Sequence, residues 1–203
     1  MLLLPSLTLL VLYAVGSLFW PPPPRESVLA WPALLGAGLA TAAALLAGAW
    51  ALERTVPGFR RTSRRLERLV RDLRLPPWGT LLAATVSGVS EELFFRGWLL
   101  PTAGLWLQAL LFMLLHPAGR SGLSYTLYTG VAGLAFGALT LATGSLWPAI
   151  VAHVAVNLIG FASGHQRRPR DPRAAAAAAA RPQSVNPGTR GSEPGPPAEP
   201  PAP

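Results

Sequence analysis

Ser90-Glu91-Glu92-Leu93-Phe94-Phe95-Arg96 lies inside a hydrophobic run from Trp78 to Leu100 and puts three charged groups into seven residues. A charge at the centre of a membrane helix costs roughly 2.5–3.5 kcal/mol on insertion scales, so this density needs a structural or chemical reason. At about 100° per residue Glu92 and Arg96 fall on one helix face, whereas Glu91 points well away from Arg96. One carboxylate is therefore predicted to be neutralised within its own helix, which leaves the other free for chemistry.

The rest of the chain agrees with a membrane setting. Of 203 residues, 51% are hydrophobic, and the mean hydropathy is +0.38. This composition predicts an all-α fold, a polytopic membrane helical bundle of about six transmembrane helices. The basic residues are 17 arginines with no lysine, and Arg96 alone falls within an apolar segment. Such a distribution reports membrane topology and excludes a nucleic-acid surface. The absence of cysteine excludes disulfides, thiolate catalysis and cysteine metal sites. Abundant alanine, glycine, proline and arginine suit a GC-rich bacterial genome.

Residues 1–52 are predicted to form an N-terminal transmembrane hairpin. Its first span ends at Trp20 before Pro21-Pro22-Pro23-Pro24, and its second runs from Val28 to Leu52, with Gly36, Gly38 and Gly48 allowing close helix contact. Residues 53–77 read as a basic amphipathic cytoplasmic loop. There Arg54, Arg60, Arg61, Arg64, Arg65, Arg68, Arg71 and Arg74 alternate with Leu66, Leu69, Val70 and Leu73, a pattern suited to an anionic leaflet. The positive-inside rule then places this loop and both termini in the cytoplasm of a multi-pass cell-membrane protein. Residues 78–164 form the core. Its spans are Trp78 to Leu100, stopped by Pro101; Ala103 to His116; Leu123 to Leu141, with a small-residue face at Gly130, Gly133 and Gly137; and Ser145 to Phe161. Residues 165–203, rich in proline, alanine and arginine, read as a disordered cytoplasmic tail.

Two further polar stretches occur on successive apolar segments: Phe112-Met113-Leu114-Leu115-His116 and His153-Val154-Ala155-Val156-Asn157. Counting along each helix from Trp98, Trp106 and Trp147 puts Glu91, His116 and His153 about 10, 15 and 9 Å from one interface, so the three can share a layer. A carboxylate and an imidazole on different helices can activate water. Read in order as E-E-x-x-x-R, F-x-x-x-H and H-x-x-x-N, the set resembles the intramembrane CPBP family, also called Abi, which includes the type II CAAX prenyl endopeptidases. The resemblance spans Leu81 to Phe161. It implies an endopeptidase in which Glu91 is the general base with His116 as its partner, while His153 and Asn157 polarise the carbonyl. Glu92, Arg96 and Phe112 would support them. The partners implied are the bilayer and a peptide or lipidated-protein substrate; in a bacterium, peptide or bacteriocin-related processing is as reasonable as CAAX processing.

A non-proteolytic scaffold or bacteriocin-immunity protein, with the same cluster as structural glue, is the alternative. Gly119-Arg120-Ser121-Gly122 matches the G-x-S-G of rhomboid-type proteases, but that reading leaves both glutamates unexplained. The family is described both as metalloprotease and as glutamate-dependent. Glu91, His116 and His153 could supply three zinc ligands. However, Glu92 is the only other strong acceptor on the motif helices, and with Arg96 claiming it the outer shell of a metal site looks thin. The reading is therefore that no cofactor is required, with zinc as the option it competes against.

Overall fold

The computed structural model describes residues 4–166 apart from 28, 120 and 121. Seven α-helices and one π-helical segment are found among them: α1 (Leu4–Phe19), α2 (Trp31–Thr55), α3 (Pro57–Asp72), α4 (Pro77–Glu92), the π segment (Leu93–Leu99), α5 (Leu100–Leu114), α6 (Leu123–Thr143) and α7 (Trp147–Gln166). There is no strand among the described residues, and the fold is an all-α helical membrane bundle. Proline repeatedly sets a helix start, where its missing N–H costs nothing: α2, α3 and α4 each carry one in the first two positions.

Three helical stretches, Trp31–Thr55, Pro77–Leu114 and Leu123–Thr143, are long and apolar enough to cross a bilayer, and Leu4–Phe19 and Trp147–Ser163 are shorter apolar helices. Exposed leucines and valines such as Leu7, Val11, Leu39, Leu110, Leu127 and Val131 coat the outside, as a lipid-facing surface requires. Exposed tryptophans mark two levels. Trp20, Trp31, Trp106 and Trp147 lie at helix ends away from the arginine-rich α3; Trp50 and Trp78 lie at the ends that flank it. Along α2, Trp31 and Trp50 are about 28 Å apart at a rise of 1.5 Å per residue, close to the hydrocarbon thickness of about 30 Å. Trp98 behaves otherwise. It packs inward, so close to α1 that a Cβ on Gly16 would lie 2.6 Å from its ring.

Pro101 does not end the third span, as its position in the sequence suggests. The helix passes through it and breaks at Gly104, where φ 79° and ψ 172° are open to glycine and costly for other residues. The widened π turn immediately before Pro101 accommodates the ring that would clash in a regular helix. After Gly104 the chain folds back, bringing Phe112 against Phe95 with ring centroids 5.0 Å apart.

Small residues set how closely the helices approach, though not all those expected. On α6, a Cβ on Gly130, Gly133 or Gly137 would meet side chains of α5 at 2.5–3.2 Å. On α2, Gly38 is in intimate contact, with Pro148 O 2.7 Å from the Cβ position; Gly48 has ordinary contact at 3.8 Å, and Gly36 faces open space. The apolar stripe of α3 is divided. Phe59 and Thr62 are buried, Phe59 against Tyr125 and Tyr128 at 5.4 and 5.3 Å, whereas Leu66, Leu69 and Leu73 are exposed. His165, assigned above to the tail, falls in the last turn of α7, and 167–203 lie outside the described residues.

Candidate active site

α4 and the π segment carry both glutamates and Arg96 into the bundle, and their local geometry follows the predicted register. Arg96 Nη1 donates to Glu92 Oε1 at 2.8 Å, and both side chains are completely buried. Arg96 Nη2 donates to the Gly133 carbonyl of α6 at 3.1 Å, and the guanidinium lies 4.5, 5.2 and 5.6 Å from the rings of Phe112, Phe136 and Phe95. Aromatic faces are a favourable apolar setting for a delocalised cation.

Glu91 turns the other way, towards a cavity of ≈ 260 Å³ lined by Pro5, Ser6, Ala83, Ser87, His116, His153, Asn157 and Phe161. Glu91 Oε2 lies 3.5 Å from His116 Nε2 and 3.9 Å from His153 Nε2. It is buried, and no described residue hydrogen-bonds to it. Three chain segments that are far apart in sequence thus converge on one carboxylate oxygen.

The remaining contacts fix the protons of both rings. His116 Nδ1 is 2.7 Å from the Phe112 carbonyl, which can only accept, so Nδ1 carries a hydrogen. Phe112 also packs beside this ring at 4.5 Å. His153 Nδ1 is 2.7 Å from Glu92 Oε1, an acceptor already paired with Arg96, so it too donates. Phe136 stacks on the His153 ring at 5.0 Å and 17°. In the neutral rings, both Nε2 lone pairs therefore face Glu91 Oε2. Asn157 Nδ2 gives one of its two N–H groups to Ser87 Oγ at 3.0 Å, and Ser87 lines the same cavity one turn before Glu91.

These contacts revise the expected outer shell. Glu92 is shared between Arg96 and His153, and a backbone carbonyl serves His116, so both imidazoles are oriented as metal-binding histidines commonly are. Among the described residues no three His, Asp or Glu side chains are grouped as a metal site requires. Arg120 and Ser121 of the G-x-S-G stretch lie outside the described residues.

Sequence reasoning missed Ser87, Gln108, Gly133 and Phe136. Ser87 was accessible to it, since i and i+4 share a helix face with Glu91. So was Gln108, a lone amide in an apolar segment; it is fully buried and donates to Gly133 O at 3.1 Å. The Gly133 carbonyl, which accepts from both Gln108 and Arg96, carries no side-chain signal at all.

The helical membrane bundle thus buries a Glu–Arg pair and sets a second carboxylate against two oriented imidazoles. In the comparison with family models, residues 73–159 match the type II CAAX prenyl endopeptidase Rce1-like family. No curated protein and no solved structure matches the chain. The match takes in all three motifs and leaves α1, α2 and α3 outside it.

Proposed function

We propose that this chain is a multi-pass endopeptidase of the cell membrane that hydrolyses a peptide bond with water activated by Glu91 and His116. The observation that carries the reading is the convergence of Glu91 Oε2 with two Nε2 atoms, each at the end of a ring whose Nδ1 proton is committed elsewhere. Three acceptors facing one point suit a water with protons to give. Proton transfer from the water to Glu91 makes the water oxygen a nucleophile for the peptide carbonyl, and as the tetrahedral adduct collapses the C–N bond breaks and Glu91 returns the proton to the departing amine. Asn157 has a second N–H free to meet the developing oxyanion. His153, held by Glu92 at Nδ1, borders the same point through Nε2. No step is routed through a metal.

The cavity runs from Pro5 and Ser6 at the start of α1, past Ala83, Ser87 and Glu91 of α4, to His116 just beyond α5 and to Asn157 and Phe161 in the latter half of α7. The start of α1 and the ends of α5 and α7 lie on the side of the arginine-rich α3, which supports a mouth on the cytoplasmic side with both termini on that side. The substrate class is a peptide or lipidated C-terminal segment presented at that face.

The test is cleavage of a fluorogenic prenylated peptide, and of its unprenylated counterpart, by purified protein in liposomes. Glu91→Gln keeps the side-chain shape but cannot take up the proton, and is expected to lower kcat at least about a hundredfold while the protein accumulates normally. A Glu91→Gln protein that cleaves at the wild-type rate would refute the assignment.

A further inference from the structure

The π segment leaves an unserved carbonyl beside the site. Within it, Leu100 N–H reaches Phe95 O, one residue beyond the α-helical partner. The donor that would continue this ladder to Arg96 O is the N–H of residue 101, and residue 101 is proline, which has none. Arg96 O therefore has no partner in the backbone ladder. An unpaired buried carbonyl is costly, and a side chain distant in sequence fills the gap: Arg25 Nη2 donates to Arg96 O. Arg25 follows Pro21-Pro22-Pro23-Pro24 in the segment that joins α1 to α2. The next residue, Glu26, sets its carbonyl against the space a Cβ on Gly144 would take, so the segment is held tightly against the α6–α7 turn. Partial burial lowers the Arg25 pKa from its ordinary value, yet a guanidinium stays charged.

We propose that Arg25 is a positioning residue for the active site, capping the Arg96 carbonyl that the π turn and Pro101 leave open and so fixing the register in which Glu91 and Glu92 are presented. It touches no reacting atom. Its effect passes through the Arg96 backbone to the Arg96–Glu92–His153 chain, and it lies outside the segment that matches the family. The catalytic part of this inference rests on the proteolytic reading above, whereas the capping itself does not.

The experiment compares wild type, Arg25→Ala, Pro101→Ala and the double variant as full-length purified protein. It measures kcat and KM on the lipidated peptide and backbone hydrogen exchange over residues 93–102. Arg25→Ala is expected to lower kcat about tenfold, with KM nearly unchanged and faster exchange in that segment. Pro101→Ala alone should behave as wild type. In the double variant the restored N–H of residue 101 can reach Arg96 O, so both kcat and protection should largely return. A residue that merely stabilised the loop would not be rescued from residue 101. Wild-type behaviour of Arg25→Ala in both measurements, or a double variant no better than Arg25→Ala, would overturn the proposal. If Arg25→Ala fails to accumulate, recovery of accumulation in the double variant supports it and no recovery overturns it. Should the wild type cleave no faster than Glu91→Gln, the proteolytic reading fails and the exchange measurement alone decides whether Arg25 caps the turn.

Discussion

Replacing Arg96 by methionine removes a charge from the best-buried part of the molecule while keeping most of the side-chain stem. In the wild type, Arg96 and Glu92 are both fully buried and joined at 2.8 Å, and Arg96 also satisfies Gly133 O. The substitution leaves the Glu92 carboxylate with His153 Nδ1 as its remaining hydrogen-bond donor. Breaking one side of a buried pair costs about 3–5 kcal/mol, because the other charge stays behind uncompensated. Against a total stability of about 5–15 kcal/mol this is a large fraction. At about 2–4 °C per kcal/mol for a chain of this size, the melting temperature should fall by roughly 10 °C. The double variant Arg96→Met, Glu92→Gln removes both charges and should regain at least about half of the loss, since a pair replaced as a unit is often nearly neutral. Thermal unfolding in detergent, followed by tryptophan fluorescence and by yield from membranes, reads both effects. If the double variant is less stable than Arg96→Met by the cost of Glu92→Gln alone, the two residues are independent and the argument for a coupled buried pair is wrong.

Gly38→Ala should destabilise by about 1–3 kcal/mol, because its methyl would press on the Pro148 carbonyl across the α2–α7 contact, whereas Gly36→Ala should be neutral or slightly stabilising. Melting temperatures of the pair decide this, and equal values would show that α2 and α7 are not packed as described. Stripping the purified protein with a strong chelator should leave its peptidase activity unchanged, with zinc well below one equivalent by elemental analysis. Loss of activity that added zinc restores would reassign Glu91, His116 and His153 as ligands.

Whatever depends on one helix at a time is legible in the chain. The apolar segments, the arginine-rich α3, the Glu92–Arg96 pair, Glu91 on another face, and His153 one turn from Asn157 all follow from helical periodicity and the cost of charge in hydrocarbon. Tertiary structure decided what depends on two helices or on a local departure from periodicity. That Glu92 also orients His153, that a bare Gly133 carbonyl ties Arg96 to Gln108, and that Ser87 holds the Asn157 amide are relations across helix contacts. They are fixed by how deeply neighbouring side chains interlock, and no short stretch of sequence records that. The reversal at Gly104 in place of Pro101 is the clearest case. Proline reads as a breaker only in a regular α-helix, and the π turn ahead of it changes which carbonyl loses its donor. The carbonyl so exposed is served by Arg25, distant in the chain, because the α1–α2 segment folds back beneath the site.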